Sequence, residues 1–461
     1  MKIGWSSVDI SPSRPVILRG QFHVRISKYV KDPLMATALA IENGQKEQAV
    51  MVSCDRTGVP SGILERVREA LRSRLPDLDV SKLFLNATHT HTAPEIQEGQ
   101  YPPQDASVMT PTAYADLFVG RVADVVAQAW QSRAPGGVSW AYGHAVVGHN
   151  RRISYFGGAS KMYGKTEQKD FDCVEGYEDH GVDMLFTWNE RRDLTGVVIN
   201  LACPSQVTEG GWYVSADFWH EVRVELRKRY GEKLFLLPQC SAAGDQSPHL
   251  LLHKQAEFRM LEKRGLSERE EIGRRLARAV EDVFTVAKGD IHTDPPFKHI
   301  VRTVPLPVRL VTKEEYEAAR QTYEKLSQEQ PSADPAAASR RFMFLNRNKR
   351  VMTCYEQQGR QGTGETELHV VRLGDIAVAT NPFELFLDYG LRIKALSKAL
   401  QTFVVQLTAS PRGPRAYLPT AKAIAGKGYG AEAVDNMVGP EGGQELVEQT
   451  VHAINEMWEE R

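Results

Sequence analysis

Apolar residues follow two alternating patterns along the chain: short continuous runs and longer stretches with helical spacing. The runs QAVMVSC at Gln48–Cys54 and KLFLNA at 82–87 predict buried strands, and the stretch between them, 61–75, predicts a helix. Because strand and helix patterns alternate, the sequence predicts an α/β fold with mixed β-sheets flanked by helices. Further strands are predicted at 137–147, 182–188, 195–202, 233–237, 299–310, 367–379 and 403–407.

Several predicted helices have recognisable start signals. Thr110 followed by Pro111 combines an N-cap residue with proline at the first helical position, and apolar residues at helical spacing continue to Trp130. Ser267 and Glu270 form a capping-box pattern that opens a helix to about residue 286. The remaining predicted helices span 218–230, 381–399 and 445–458.

The segment 312–350 differs from its surroundings because it is charged, rich in Ala and Gln, and interrupted by Pro331 and Pro335. This composition predicts a helical excursion on the surface rather than a core element. No internal repeat and no long low-complexity linker divides the chain. The pattern therefore favours one intertwined unit.

Composition narrows the function classes. Among 461 residues, 57 are Lys or Arg and 58 are Asp or Glu, so a net charge of -1 gives no reason to expect nucleic acid or an anionic membrane as partner. No run of about 18 apolar residues predicts a membrane span. Five scattered cysteines without a CxxC pair, and a start without an apolar signal segment, favour a reducing, cytoplasmic location. A small-molecule substrate is the expected partner, and the sequence does not define an oligomeric state.

The segment ATHTHT at 87–92 directly follows a predicted strand. In an extended chain alternate side chains share a face, so His89 and His91 would point the same way, about 6.5–7 Å apart along the strand. One imidazole could then bind a metal while the other faces substrate or a bound water. Taken alone, the motif is better explained as two surface histidines flanked by β-branched threonines.

Other segments offer candidate chemistry at predicted strand ends. Cys203 follows a strong strand, where a cysteine is more often a small buried hydrophobe than a ligand. The run AGDQSP at 243–248 marks a tight turn where α/β folds often place site residues. Glu384 falls in the first turn of a predicted helix, where the helix dipole favours a carboxylate. Tyr417 in YLPT and Tyr429 in a Gly-rich loop complete the set.

Three acids near strand ends have two interpretations. Asp55, Asp217 and Asp245 could support metal ligands or bind a hard cation, or they could cap turns. The turn-capping interpretation is favoured for Asp55, and both stay open for the other two.

Taken in order, these motifs resemble the neutral/alkaline (non-lysosomal) ceramidases. The series is THTH, NR, CP, SAD, AGDQSP, PFE and YLPT, at 88–91, 150–151, 203–204, 215–217, 243–248, 382–384 and 417–420. The resemblance runs from VDISP near the start to VGPEGG near the end, and its shared order makes it specific to the superfamily, though not to ceramide. It implies a single neutral-ceramidase-like catalytic domain over 1–461, without the extra C-terminal β domain of family ceramidases.

The resemblance also implies one zinc ion that serves hydrolysis of an amide bond. The family's ligands are two histidines, a glutamate and a tyrosine. The first histidine, the glutamate and the tyrosine fall on His89, Glu384 and Tyr417. Residues that hold the substrate or the developing oxyanion fall on His91, Arg151 and Tyr429. The serine of AGDxSP, a nucleophile candidate in such enzymes, falls on Ser247.

The sequence departs from the family at the second histidine, which falls on Cys203. Zinc accepts thiolate as well as imidazole, so Cys203 could complete a four-ligand site. Cys203 and Glu384 as anionic ligands would neutralise the ion, and the pKa of its bound water should then rise. His220, in SADFWH, is the alternative replacement, ranked lower because Cys203 lies at the matching position.

The leading hypothesis is a zinc-dependent hydrolase that cleaves an amide (N-acyl) bond of a small or lipid-like substrate. His91 would act as general base, and Arg151 with Tyr429 would stabilise the tetrahedral oxyanion. A small, soluble, polar substrate is expected at least as readily as ceramide. The alternatives are an esterase, a lactonase or another metal-assisted enzyme on a sugar-like compound, and a catalytically silent binding protein.

Overall fold

The structure, a computed structural model, describes residues 1–330, 332–358, 363–410 and 416–459. It confirms the predicted α/β fold, with several sheets flanked by helices. The described strands are β1 (Lys2–Asp9), β2 (Met35–Glu42), β3 (Gln48–Cys54), β4 (Leu83–Ala87), β5 (Ala134–His144), β6 (His149–Asn150), β7 (Arg152–Tyr155), β8 (Ser160–Met162), β9 (Phe171–Val174), β10 (Gly181–Asn189), β11 (Leu194–Leu201), β12 (Phe235–Cys240), β13 (Gln246–Ser247), β14 (Phe297–Pro307), β15 (Thr363–Leu373), β16 (Ile376–Thr380), β17 (Phe383–Leu385), β18 (Gln401–Val405) and β19 (Ala416–Leu418).

The helices lie between these strands and after them. They are α1 (Ile63–Arg72), α2 (Pro111–Gln131), α3 (Phe218–Tyr230), α4 (Lys254–Arg264), α5 (Glu268–Gly289), α6 (Lys313–Gln328), α7 (Pro335–Gln357), α8 (Leu387–Leu396), α9 (Ala421–Gly426) and α10 (Pro440–Glu459), with a short 3₁₀ turn at Val80–Lys82. The side chain of Thr110 accepts from the backbone of Ala113 at the start of α2, and the predicted capping box of Ser267 and Glu270 opens α5. Within the described residues, no helix is both long and apolar enough to cross a bilayer.

Two sheets carry most of the fold. The larger sheet has eight strands in the order β12-β11-β10-β5-β1-β2-β3-β4, and the second has four in the order β14-β15-β16-β18. Most neighbours are antiparallel, but β3–β4, β11–β12 and β16–β18 are parallel. Because the strands of each parallel pair end at the same edge, the loops that follow them emerge together.

The two sheets pack face to face between outer helices. Alternate side chains of the larger sheet, including Trp5, Met51 and Phe84, meet Val371 and Phe403 of the second sheet. The opposite face of the larger sheet packs against α1 and α2 at one end and against α3 and α5 at the other. The outer face of the second sheet packs against α8 and α10. The result is four layers in the order helix, sheet, sheet, helix.

The prediction of one continuous helix over 381–399 is wrong. Residues Phe383–Leu385 form strand β17, which pairs in parallel with β19, and helix α8 begins only at Leu387. The backbone at Phe386 is extended, so the strand conformation continues up to the helix start. Glu384 therefore lies on a strand, and the helix-dipole explanation for its position does not apply.

The helical prediction for 312–350 is confirmed by α6 and α7, although α7 continues to Gln357. Helix α7 is more than a surface excursion, because Ser339, Asn348 and Val351 on it are buried. The hydroxyl of Ser339 accepts a hydrogen bond of 2.9 Å from the backbone of Val24. The helix is thus fastened to the N-terminal part of the chain.

A buried ion-pair network joins α1 to the second sheet. Arg68 on α1 donates to both carboxylate oxygens of Glu367, at 2.7 and 3.1 Å, and His369 lies 2.9 Å from the same carboxylate. His369 in turn lies 3.0 Å from His299 on the neighbouring strand β14. Although burial raises it, hydrogen bonds with His369 and Arg68 bring the pKa of Glu367 down to about 2.

We expect the Glu367 carboxylate to contribute acid-sensitive stability. A folded-state pKa below the ordinary 4.5 means that the contribution is present above about pH 4.5 and is lost as the pH falls towards 2. The shift corresponds to about 3 kcal/mol at neutral pH. Glu367→Gln should therefore lower the free energy of unfolding at pH 7 and flatten its decline between pH 5 and about 3, as measured by urea denaturation.

The matched control is Glu190→Gln, which removes an exposed carboxylate from a turn between two strands. It should leave the pH dependence of unfolding close to that of the parent. Parallel curves for the parent and Glu367→Gln would contradict the role assigned to this network.

Candidate active site

A cavity of about 470 Å³ opens at the edge where the parallel strands end. Its wall includes side chains from the loops after β3 and β4, from strands β17 and β19, and from helix α7. The predicted site residues that line it are His89, His91, Glu384, Tyr417 and Tyr429. Five residues that are far apart in sequence are thus brought to one surface.

His89 is held by the backbone of the loop after β3. Its Nδ1 lies 2.6 Å from the carbonyl oxygen of Thr57, and its backbone N–H donates to the carbonyl of Arg56 at 2.8 Å. A carbonyl can only accept, so Nδ1 carries a proton, and Nε2 is the ring nitrogen that faces Glu384. The predicted extended chain through this histidine is wrong, because β4 ends at Ala87 and His89 has a φ of 67°.

Glu384 and Tyr417 are brought together by strand pairing. In the parallel register of β17 and β19 they are direct partners, and Glu384 Oε2 lies 3.3 Å from His89 Nε2. The turn after β12 packs directly against the backbone of β17, since a Cβ on Gly244 would lie 2.4 Å from the Glu384 carbonyl oxygen. Only glycine allows this approach.

The environment keeps Glu384 ionised and Tyr417 protonated. Burial raises the pKa of Glu384, but His89, a hydrogen bond from Tyr417, and Arg151 together bring it below its usual value. Burial, with the Glu384 and Tyr429 groups nearby, raises the pKa of Tyr417 well above its usual value. The carboxylate therefore faces His89 as an anion, with the phenol as its hydrogen-bond donor.

His91 faces His89 across the same space. The Nε2 atoms of the two rings are 3.3 Å apart, and Gln206 Nε2 lies 2.6 Å from His91 Nε2. Gly20 has a φ of +113°, and a Cβ there would lie 2.4 Å from the His91 ring, so glycine leaves room for the imidazole. Burial, with His89 and Arg25 nearby, lowers the pKa of His91 well below its usual value, so the ring is neutral at pH 7.

Arg151 is buried beside the cavity and is not among the described residues that line it. Its guanidinium donates to the Tyr417 hydroxyl at 3.2 Å, to the Gly244 carbonyl at 2.9 Å and to the Tyr163 hydroxyl at 3.0 Å. Ser247 contacts Tyr163, whose hydroxyl donates to it at 3.2 Å. Arg151 thus contacts Tyr417, a predicted metal ligand, whereas Ser247 is linked to Tyr417 through Tyr163 and Arg151.

The structure does not bring Cys203 or His220 to the cavity. The Cys203 thiol is fully buried in the apolar cluster that also holds Trp219 and Leu276, and its Sγ lies 3.5 Å from the Pro204 carbonyl oxygen. His220 lies in the first turn of α3. Neither is among the described residues that line the cavity. A ligand role for Cys203 stays a prediction, and its surroundings match the buried-hydrophobe interpretation.

The three predicted acids make structural contacts. Asp55 pairs with Arg223 at 2.8 Å, and Asp217 caps α3 through the backbone of Phe218. Asp217 also accepts from the backbone of Thr208, which holds the loop that carries Gln206. Asp245 accepts from Asn150 and from the backbone of Leu387, each at 2.9 Å. Two of these acids therefore brace loops that lead to the site.

Four contributors were missed by sequence reasoning. The carbonyl of Thr57, the amide of Gln206 and the space left by Gly20 orient the two histidines. Arg350 of α7 lines the cavity although its segment was predicted to be peripheral. Of these four, Gly20 is the one that the sequence could have indicated, because a glycine can mark a close approach. The other three contributions depend on tertiary contacts that local patterns do not encode.

The donor set can be compared with the needs of zinc. Tetrahedral bonds of about 2.0–2.1 Å place donor atoms about 3.3 Å apart, which is the separation of His89 Nε2 and Glu384 Oε2. Within the described residues, no group of three or more His, Cys, Asp and Glu side chains is placed to hold a metal, so a third donor would have to come from the Tyr417 phenol, the register partner of Glu384. A catalytic zinc site has three protein ligands and one open position, and His89, Glu384 and Tyr417 are the candidate ligands for such a site.

Comparison with known proteins identifies the fold. No protein-family model and no curated protein sequence matches this chain. Among solved structures, neutral ceramidase from Pseudomonas aeruginosa matches with a TM-score of 0.71 and 16% identity, covering 99% of this chain and 74% of that chain. A ceramidase complexed with C2 matches with a TM-score of 0.71 and 14% identity, covering 99% of this chain and 75% of that chain. The protein has the neutral-ceramidase fold, as predicted, with a strongly diverged sequence.

We expect the burial of Cys203 to make it unreactive in the native protein. Cys173 is exposed, whereas Cys54, Cys203 and Cys240 are buried. Burial raises the pKa of the Cys203 thiol well above its usual value, which removes the reactive thiolate. A thiol reagent should therefore label Cys173 quickly and leave Cys203 unlabelled, as followed by absorbance and peptide mapping.

The control is Cys173→Ser, which should abolish the fast phase and leave only slower labelling of the half-buried Cys354, while unfolding in urea should expose Cys203 to the reagent. Rapid labelling of Cys203 in the folded protein would show that its thiol reaches solvent through the cavity, against the placement described.

Proposed function

We propose that the protein is a zinc-dependent hydrolase that cleaves an amide (N-acyl) bond. The observation that carries this proposal is the convergence of His89, Glu384 and Tyr417 beside the neutral imidazole of His91 in one cavity. The fold supports it because structures with the same architecture are ceramidases. Fold alone does not determine chemistry, so the donor geometry has the greater weight.

His89, Glu384 and Tyr417 would hold the metal. A bound zinc ion would supply a Lewis acid for the amide carbonyl and would make a bound water more acidic. The Thr57 carbonyl fixes the His89 tautomer, so Nε2 needs no reorganisation to act as a donor. Arg151 keeps the Tyr417 hydroxyl in place from the side away from the cavity and offsets the negative charge of Glu384.

His91 would carry the proton. Its lowered pKa leaves the ring neutral, so it can accept a proton from the attacking water as the new C–O bond forms. It would then give that proton to the departing nitrogen as the C–N bond breaks. The products are a carboxylic acid and an amine, and no further reactant is required.

The oxyanion would form next to Tyr429. Tyr429 lines the cavity, and its ring meets that of Tyr417 edge to face at 5.3 Å. Burial raises the pKa of Tyr429, so the phenol stays protonated and can donate a hydrogen bond. In this proposal Tyr429 contacts the substrate, and Arg151 acts through Tyr417 as a positioning residue.

A catalytically silent binding protein is the second candidate. The observation that favours it is the burial of Cys203 among apolar side chains, away from the three donors. If a fourth protein ligand is essential, the cavity would bind a ligand without turning it over. Cys203→His distinguishes the two: metal binding gained only in this variant would support the silent protein, and tight zinc in the parent would refute it.

The direct test is metal content and amide hydrolysis in matched variants. The parent should bind about one zinc ion per chain and hydrolyse short N-acyl amines. His89→Ala and Glu384→Ala should lose the metal and lower kcat/KM at least about 100-fold, since even residues that merely support metal ligands cost 10–100-fold. Metal is measured by mass spectrometry after dialysis, and activity with a set of N-acyl amines and matched esters.

His452→Ala is the control, because this histidine is exposed near the end of α10. It should keep the metal content and activity of the parent. Absence of a bound transition metal in the parent, or undiminished activity in both cavity variants, would end the proposal.

A further inference from the structure

The cavity has an excess of positive charge on its wall. Among the described residues that line it, three are arginines, Arg19, Arg56 and Arg350, and two are carboxylates, Glu95 and Glu384. Glu95 pairs with Arg19 at 2.6 Å, and Glu384 faces His89. Each carboxylate therefore already has a partner, and two guanidinium groups are left over.

Among the described residues, no carboxylate lies within ion-pair distance of Arg56 or Arg350. Arg56 is buried and donates at 3.3 Å to the carbonyls of Gly58 and Pro94. Arg350 is exposed and donates at 2.6 Å to the carbonyl of Val434. Carbonyl oxygens satisfy hydrogen bonds without neutralising the charge, so both groups attract an anion that enters the cavity.

Helix α7 holds Arg350 at the wall. Phe344, within the same helix, stacks on Phe22 with ring centroids 5.5 Å apart, and Arg347 pairs with the buried carboxylate of Asp435. Met343, also on α7, lines the cavity beside Arg350. Because Phe344 and Arg347 anchor the helix, the position of Arg350 is set by packing as well as by its own hydrogen bond.

We propose that the substrate carries an anionic group, a carboxylate or a phosphate, which binds Arg350 while the scissile amide lies at His89 and His91. This inference rests on the proposed function, because it places one molecule between Arg350 and the two histidines, which line the same cavity. A cavity of about 470 Å³ suits a small ligand. A long alkyl chain would cover the guanidinium groups without replacing their hydration, which is unfavourable.

The test uses three N-acyl amines that differ only at the far end of the acyl chain: a carboxylate, a phosphate ester and a neutral methyl ester. We expect the parent to prefer at least one anionic substrate over the neutral one by about tenfold in kcat/KM, the effect of one charge-assisted hydrogen bond. Arg350→Gln should remove most of this preference, because it lowers kcat/KM for the anionic substrates more than for the neutral one. The two anionic arms show whether a carboxylate or a phosphate is the better match.

Lys349→Gln is the matched control, because it removes the same charge from the residue that directly precedes Arg350 on α7. Lys349 is exposed and is not among the described residues that line the cavity. It should retain the preference. Arg350→Lys should show an intermediate preference, since it keeps the charge and loses the planar guanidinium. Equal preference in the parent and Arg350→Gln, or no preference in the parent, would overturn the inference.

A separate binding measurement distinguishes failure of this inference from failure of the proposed function. If none of the three substrates is hydrolysed, the proposed function fails, and calorimetry with glutarate and inorganic phosphate decides the inference. Binding of either anion to the parent that weakens about tenfold in Arg350→Gln and not in Lys349→Gln would support the anion site. Binding that is absent, or equal in all three proteins, would overturn it.

Discussion

The approach of His89 Nε2 to within 3.3 Å of the Glu384 carboxylate is the contact on which the rest of the site depends. The imidazole reaches it because β4 ends at Ala87 and the chain turns through a positive φ at His89. The carboxylate reaches it because the short strand β17 pairs with β19. Two electron-pair donors so close together are stable only with a proton or a cation between them, and this requirement gives the cavity its chemistry.

The four-layer architecture explains how distant segments converge. Parallel pairs within the two sheets end at one edge. The loop after β3 supplies the Thr57 carbonyl that holds His89, and the loop after β4 carries His89 and His91. The segment after β16 continues into β17, which carries Glu384. Apolar packing between the sheets fixes that edge without any polar group of the site. Buried braces such as Asp217 and Asp245 then hold the loops that rise from it. Stability and chemistry therefore depend on different residues.

The sequence predicted more of the framework than of the site geometry. Buried strands such as Gln48–Cys54 and the helix that begins after Thr110 follow from local patterns, and the structure confirms both. The placement of Glu384 was wrong because an Asn-Pro pair resembles a helix start, whereas pairing with a strand more than 30 residues away decided the conformation. Arg350 was missed because charge and prolines made its segment look peripheral. The predicted roles of Cys203 and Ser247 came from motif order, which carries no information about which way a side chain points.

X-ray absorption at the zinc edge of the purified, zinc-loaded protein identifies the ligand atoms directly. If His89, Glu384 and Tyr417 hold the metal, the ligand shell contains only nitrogen and oxygen atoms at about 2.0–2.1 Å, with a single imidazole among them. A sulfur atom at about 2.3 Å would place the Cys203 thiolate on the metal and would contradict the structure of the site described here.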